Sequence, residues 1–287
     1  MVILSEVALT QLDPRYALAW VGLSRARYRQ ADRGHIPTEE GQRLAREAVD
    51  RALALNPNLA EAHSQMALLK LIVDLDWVGA DAAFQRAFAL APGNSEIAQE
   101  ASYLPAAFGR LEEALELARR AVELDPVNPG SWANLGQLKF NIGRKEDALA
   151  DFKKALELNP DDRLSHVYLS EIYVMQGRAQ DALAVMEQQP DYFRLPEYAI
   201  AYHALGREKE SDAALSELIA KYHAVAAFQI AEVYAFRNQP DKAFEWLDRA
   251  FAQGDGGLPT TNIDPLLKSL HNDPRYAALL KKLNLPT

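Results

Sequence analysis

The sequence predicts an all-α protein, a solenoid of about seven helix pairs with terminal capping helices. Three observations lead there. Leu and Ala dominate an apolar share of 49%, which favours helix over strand. Prolines closing an L-[D/N]-P-like phrase recur at Pro14, Pro57, Pro92, Pro126 and Pro160, and the last two intervals are both 34 residues. Small residues recur at two fixed positions of every interval, where paired helices must approach closely.

Residues 1–14, "MVILSEVALTQLDP", read as a partial N-terminal helix, the second helix of a pair without its first. The array is expected over 15–254. The Pro14–Pro57 interval is 43 residues because "ADRGHIPTEEG" inserts a loop, and Pro57–Pro92 is 35. With the closing proline numbered 32 in each unit, position 8 of the first helix is Ser24, Ala67, Ser102, Gly136, Ser170, Ala199 and Ala231. Position 20 of the second helix is Ala45, Ala80, Ala114, Ala148, Ala182, Ser211 and Ala243. Ala148 is expected to face Gly136. The turn between helices carries Gly109, Gly143, Gly177, Gly206 and Asn238, the residues that most readily take positive φ at a helix C-terminus. Pro105 predicts a kink or an early stop in the first helix of unit three. "MEQQPDYF" replaces the usual closing phrase of unit five, so its second helix should be short. Residues 255–287 open on a Gly-rich loop. "IDPLLKSL" and "NDPRYAALLKKL" then place Asp before Pro, an N-cap followed by N1, which predicts two capping helices over the open end of the array.

A helix–turn–helix period of 34 residues resembles the tetratricopeptide repeat (TPR) family over nearly the whole chain. Within it, "DWVGADAAFQRAFALAPGN" and "QPDKAFEWLDRAFAQGDGGL…DPLLKSLHNDPRYAALLKKLNLP" are similar to the C-terminal repeat region of bacterial signalling proteins. In those proteins a class III adenylate/guanylate cyclase or winged-helix domain precedes the repeats. The resemblance implies a right-handed TPR superhelix and a non-catalytic protein–protein interaction module, with any catalysis in a domain absent from this chain. Its alternative is a structural, dimerisation or regulatory arm of a larger bacterial signalling protein. No cyclase segment or basic recognition helix is present in the sequence.

Composition narrows the partners. The formal charge is −9, which argues against nucleic acid bound by this segment. No apolar run approaches the roughly 18 residues that span a bilayer, and no secretory signal opens the chain, so the expected compartment is the cytoplasm. There are no cysteines. No HxxxH or HExxH spacing supports a metal, and no phosphate-loop, GxGxxG or GxSxG motif supports a cofactor or catalysis. His63 and His166 fall at position 4, where Trp20 and Trp132 stand in sister units. They are expected to pack as aromatic substitutes. Carboxylates such as those in "EEALELARRAVELD" and "KEDALADFKKALEL" read as a solvated outer face with i,i+4 pairs.

The concave face of this fold is lined by positions 2, 5, 9, 12 and 13 of each first helix. The candidate binding residues there are Gln99, Tyr103, Gln137, Phe140, Asn141, Val167, Glu171, Met175, Ile200, Phe228, Glu232 and Phe236. Most are uncharged, so the expected ligand is an apolar protein segment from a partner, a second copy or the parent chain. The TPR units that clamp a chaperone's C-terminal carboxylates carry Lys at position 5 and Asn at position 9 of their first unit. Val21 and Arg25 stand there, so that specificity is not expected.

Overall fold

A computed structural model describes residues 8–286. Residues 8–12 are helical; the remainder of the expected N-terminal helix, 1–7, lies outside the described residues. Seven helix pairs follow: α1 (Ala17–Asp32) with α2 (Thr38–Leu55), α3 (Ala60–Leu69) with α4 (Trp77–Leu90), and α5 (Ser95–Ala101) plus α6 (Tyr103–Ala107) with α7 (Leu111–Leu124). The fourth and fifth pairs are α8 (Pro129–Asn141) with α9 (Lys145–Leu158) and α10 (Arg163–Met175) with α11 (Ala179–Met186). The sixth and seventh are α12 (Asp191–Ala204) with α13 (Glu208–Tyr222) and α14 (Ala227–Phe236) with α15 (Pro240–Gln253). Two 3-10 turns, Leu258–Thr260 and Pro265–Leu270, and a last helix α16 (Pro274–Lys282) complete the chain. No strand occurs among the described residues.

Local chemistry sets the boundaries. Asn94, Asn128 and Asp162 cap α5, α8 and α10 by accepting from backbone N–H groups of the first turn, donors that the helix itself cannot satisfy. The turns of units three to seven put Gly109, Gly143, Gly177, Gly206 and Asn238 at φ between 55° and 82°. Unit two has no glycine there. Its extra residue is absorbed by a π turn, Lys70–Asp74, after which Leu75 takes φ 51°; a π turn is how a helix accommodates one added residue. The 35-residue interval thus has a structural cause. In unit three the break falls at Ser102, between α5 and α6. Pro105 has no N–H to offer the Ala101 carbonyl, so the bond ladder stops one turn ahead of the proline.

The small-residue seams hold the pairs together. Ser24, Ala67, Ser102, Ser170, Ala199 and Ala231 are 0% exposed, as are all seven residues at position 20. Gly136 is filled differently from expectation. Its neighbour is the Phe152 ring, which a Cβ at 136 would meet at 2.9 Å. Phe152 in turn stacks on Tyr168 of the next unit at 5.2 Å. Position 4 has a shared role. Trp20 and Trp132 donate their indole N–H to the carbonyls of Pro14 and Pro126, at 3.0 and 2.8 Å. His63 and His166 place Nε2 at 2.8 and 3.0 Å from the carbonyls of Pro57 and Pro160. A carbonyl only accepts, so Nε2 carries the proton, and the histidines substitute for tryptophan as donors to the closing phrase.

The outer charges pair mainly at i,i+3, as in Arg110–Glu113, Lys154–Glu157 and Arg178–Asp181. Asp151 is not solvated: it is 5% exposed and meets Lys139 across the fourth pair at 2.6 Å.

The superhelix completes about one turn, because the first unit reaches the last. Gln42 on α2 donates to the Gly254 carbonyl at 3.4 Å. A Cβ on Gly34 would meet Val225, which leads into α14, at 3.2 Å. The helices therefore surround a lumen rather than line an open trough.

Candidate functional site: the lumen and its occupant

The lumen is filled by the chain's own C-terminal segment. Residues 254–286 leave α15, cross the interior and return to the last helix pair. A Cβ on Gly256 would lie 2.7 Å from the Tyr28 hydroxyl, 3.2 Å from Asp32 and 3.7 Å from Ile72, all on units one and two. A Cβ on Gly257 would lie 2.5 Å from the Phe228 ring of unit seven. Only glycines let the backbone pass so close. Ile263 packs with Ala106, Leu115, Leu135 and Leu138 of units three and four. Asp264 points among carboxyls of units five to seven. The Ser269 hydroxyl donates to the Ala235 carbonyl at 2.9 Å. The segment then stacks on the last helix pair: α16 pairs Arg275 with Asp241 and Lys282 with Asp248 on α15. Trp77 of unit two donates to the Leu283 carbonyl at 3.1 Å. The C-terminal elements thus do more than cover the last pair.

Asp255 latches the entry of this segment. Its carboxylate accepts from the backbone N–H groups of Phe228 and Gly257, each at 3.0 Å. Burial pushes its carboxyl up to about 6, against the pull of those donors.

Of the candidate binding residues, Phe228 lies against the segment at Gly257, and Glu171 and Glu232 lie near Asp264. Phe140, Ile200 and Phe228 are each 1% exposed, and Glu171 is 7% exposed. Gln99, Tyr103, Gln137, Asn141, Val167, Met175, Glu232 and Phe236 are half-buried. Gln99 donates to the Tyr103 hydroxyl at 3.5 Å and accepts from Ser131 at 3.2 Å.

Charge is distributed unevenly around the lumen. In units one to three Arg25 meets Glu96 at 2.6 Å and Glu100 at 3.2 Å. Ser64 donates to Glu100, and Gln65 to Ser24. Burial still pushes the Glu100 carboxyl up to about 7. In units five to seven no such cation stands. Glu171 on α10, Glu197 on α12 and Glu232 on α14 converge with Asp264. Burial raises all four carboxyls, and repulsion from neighbouring carboxylates adds to it for Glu171, Glu197 and Glu232. Glu197 is pushed up to about 8, with the Ser170 hydroxyl beside it opposing the shift. The proximity of Asp264 raises Glu232 further. Glu197 is 3% exposed, and its Oε2 has no hydrogen-bond partner.

Sequence reasoning named Glu171 and Glu232 but passed over Glu197 and Asp264. Glu197 sits at position 6, outside the groove positions. Asp264 was visible only as an N-cap, a role it also fills by accepting from Leu266 N–H at 2.7 Å. Among the described residues no group of three or more His, Asp or Glu is arranged to hold a metal ion.

Residues 129–162, the fourth pair, match the model of the tetratricopeptide repeat family. No curated protein sequence matches the chain. Among solved structures, the chain is similar to a tetratricopeptide repeat protein from Parabacteroides merdae, with TM-score 0.56 and 16% identity over 92% of this chain and 98% of that one. It is similar to a chain of the Cut9–Hcn1 APC/C hetero-tetramer, with TM-score 0.63 and 16% identity over 98% of this chain and 52% of that one. It is also similar to Pseudomonas aeruginosa PilF, with TM-score 0.52 and 19% identity over 72% and 91%. At these identities the likeness concerns the fold, and that fold is a TPR-type helical solenoid.

Proposed function

We propose that this chain is a non-catalytic protein-interaction module whose lumen takes up a protein segment, the place now held by residues 254–270. TPR-type solenoids are protein-binding folds and are typically non-catalytic. The observation that carries the reading here is the occupant itself. A stretch of extended and 3-10 backbone lies against first helices from both ends of the array, with side chains seated between them. A surface that accommodates one such segment has the shape and apolar lining to accommodate another. Gln137 and Phe236 stand at the groove positions of units four and seven and are half-buried.

A photo-cross-linking residue placed at Gln137 or Phe236 of the full chain tests this. Cross-links to a partner protein are expected from these positions and not from Lys153 on the outer face. Partner cross-links from Lys153 alone would overturn the reading. One observation favours a second reading, a structural or dimerisation arm: Leu9, Leu12, Tyr16 and Leu18 are 41%, 83%, 47% and 42% exposed at the first unit. That edge is the apolar surface such an arm would use.

A further inference from the structure

We infer that the shortened fifth unit carries a second docking site, separate from the lumen: a cleft that takes the end of a partner's amphipathic helix, presenting an arginine or lysine followed by a small residue and a bulky apolar one.

The sister repeats show what belongs there. Near the end of the second helix, units two, three and four read Arg86-Ala87-Phe88, Arg120-Ala121-Val122 and Lys154-Ala155-Leu156, and residues 51–53 and 249–251 repeat the pattern in units one and seven. The alanine is 0% exposed in all five, so this turn is where a second helix seats on its neighbours. In unit six the buried Leu218 takes the alanine's place. The basic residue ties the turn to the closing phrase of the preceding unit. Arg86 donates to Asn58 Oδ1 and Arg120 to the Pro92 carbonyl, each at 2.6 Å. Unit five has Gln188-Gln189-Pro190 at these positions. Its second helix, α11, has 8 residues where α9 has 14, and stops at Met186 before the turn is reached.

The missing turn leaves a cleft of about 650 Å³ between the end of α9, one face of α10 and the end of α11. Leu156, Leu169 and Val185 line it, with Asp161 beside them. Asp161 follows the closing proline of unit four as Asn58 follows that of unit one, and Asn58 is where Arg86 docks. The Asp161 carboxylate is exposed and has no ion pair or hydrogen bond among the described residues. Arg163, also at the cleft, lies over the Phe193 ring of unit six at 5.8 Å. A helix end of the sister sequence thus finds an apolar seat for its small and bulky residues and an unpaired carboxylate for its cation. A different protein must supply it, because the chain's own turns of this kind are buried in the array and a second folded copy has none to offer. No residue of the C-terminal segment borders the cleft, so the site is open with the lumen filled.

A hydrocarbon-stapled peptide of residues 112–126, which carries the Arg120-Ala121-Val122 turn, is the probe; the staple holds a helix that so short a peptide would lose in water. Fluorescence anisotropy should show it binding the full chain. Arg120→Glu in the peptide should weaken binding about fivefold or more at low salt, and that ratio should shrink at about 1 M salt. Asp161→Lys in the chain should reverse the order of the two peptides. Ala184 is an exposed residue of α11 that lines the cleft, so Ala184→Arg should abolish binding of both peptides with the melting temperature unchanged. No binding by the wild-type chain, equal affinity for the two peptides, an order that persists in Asp161→Lys, or binding that survives Ala184→Arg overturns the inference. None of these results bears on the lumen, whose test is separate.

Discussion

The seam of the fourth helix pair and the floor of the lumen under Asp264 are both buried, yet they are built on opposite rules. At the seam, Ala148 and Phe152 are 0% exposed, and the one deep charge, Asp151, has Lys139 at 2.6 Å. Apolar surface is removed from water, and the charge is paired. Under Asp264, carboxyls face one another with no basic group of the array among them. The difference teaches where this protein can change. A seam of that kind has one stable arrangement, because any displacement loses packing without gaining hydration. The lumen floor would gain hydration and relieve repulsion if its occupant left, so it is the weaker joint.

Overpacking the seam should have the largest effect. Ala148→Leu adds three heavy atoms where no space exists and should cost about 1–3 kcal/mol, read as a lower denaturant midpoint with an unchanged slope. Wild-type stability there would break the comparison. Next comes the dependence on pH. The Glu171, Glu197 and Glu232 carboxyls retain protons in the folded chain at pH values where the unfolded chain has released them. That contribution is complete below the ordinary 4.5 of glutamate and is lost as pH rises through the raised values, about 8 for Glu197; higher pH then favours the unfolded chain. Groups held low, such as Asp273 at about 2 beside Arg275, act in the opposite sense only at more acid pH. Glu197→Gln should therefore flatten the fall in melting temperature between about pH 5 and 8. An unchanged slope would mean the lumen carboxyls are hydrated.

Gly143→Val should cost about 1–2 kcal/mol, since Gly143 sits at φ 82° and a β-branched residue resists that region. Asp255→Ala removes the acceptor of Phe228 N–H and should cost about 1 kcal/mol, with the loss seen first as easier proteolysis near residue 256. Arg178→Ala breaks an exposed pair and should change stability by less than about 0.5 kcal/mol. A large effect there would show that the outer face is not the solvated surface described.

The seam was legible in the sequence and the lumen was only partly so, for one physical reason. Seam positions recur with the period, so Ser24, Ala67, Ala114 and their equivalents repeat the same steric demand and can be read off in register. The turn glycines repeat in the same way. The lumen is formed once, by closure of the array on residues that follow it. Phe228, Glu171 and Glu232 could be placed on the inner face from their positions. That Gly256 and Gly257 would thread between Tyr28 and Phe228 depends on the superhelix returning to its start, which no local pattern encodes. Pro105 announced a break, but not that the break would fall at Ser102. The extra residue of unit two was countable, but its π turn was not.

The central claim is that residues 258–270 occupy the lumen as a separately releasable element. Hydrogen exchange on the full chain, corrected for intrinsic rates, tests it by comparing that segment with α9, Lys145–Leu158. The segment is expected to open at lower free energy than α9, and its protection should fall further between about pH 6 and 8 as the carboxyls lose protons. Protection equal to that of α9 at both pH values would contradict the account, because the segment would then be a fixed part of the core.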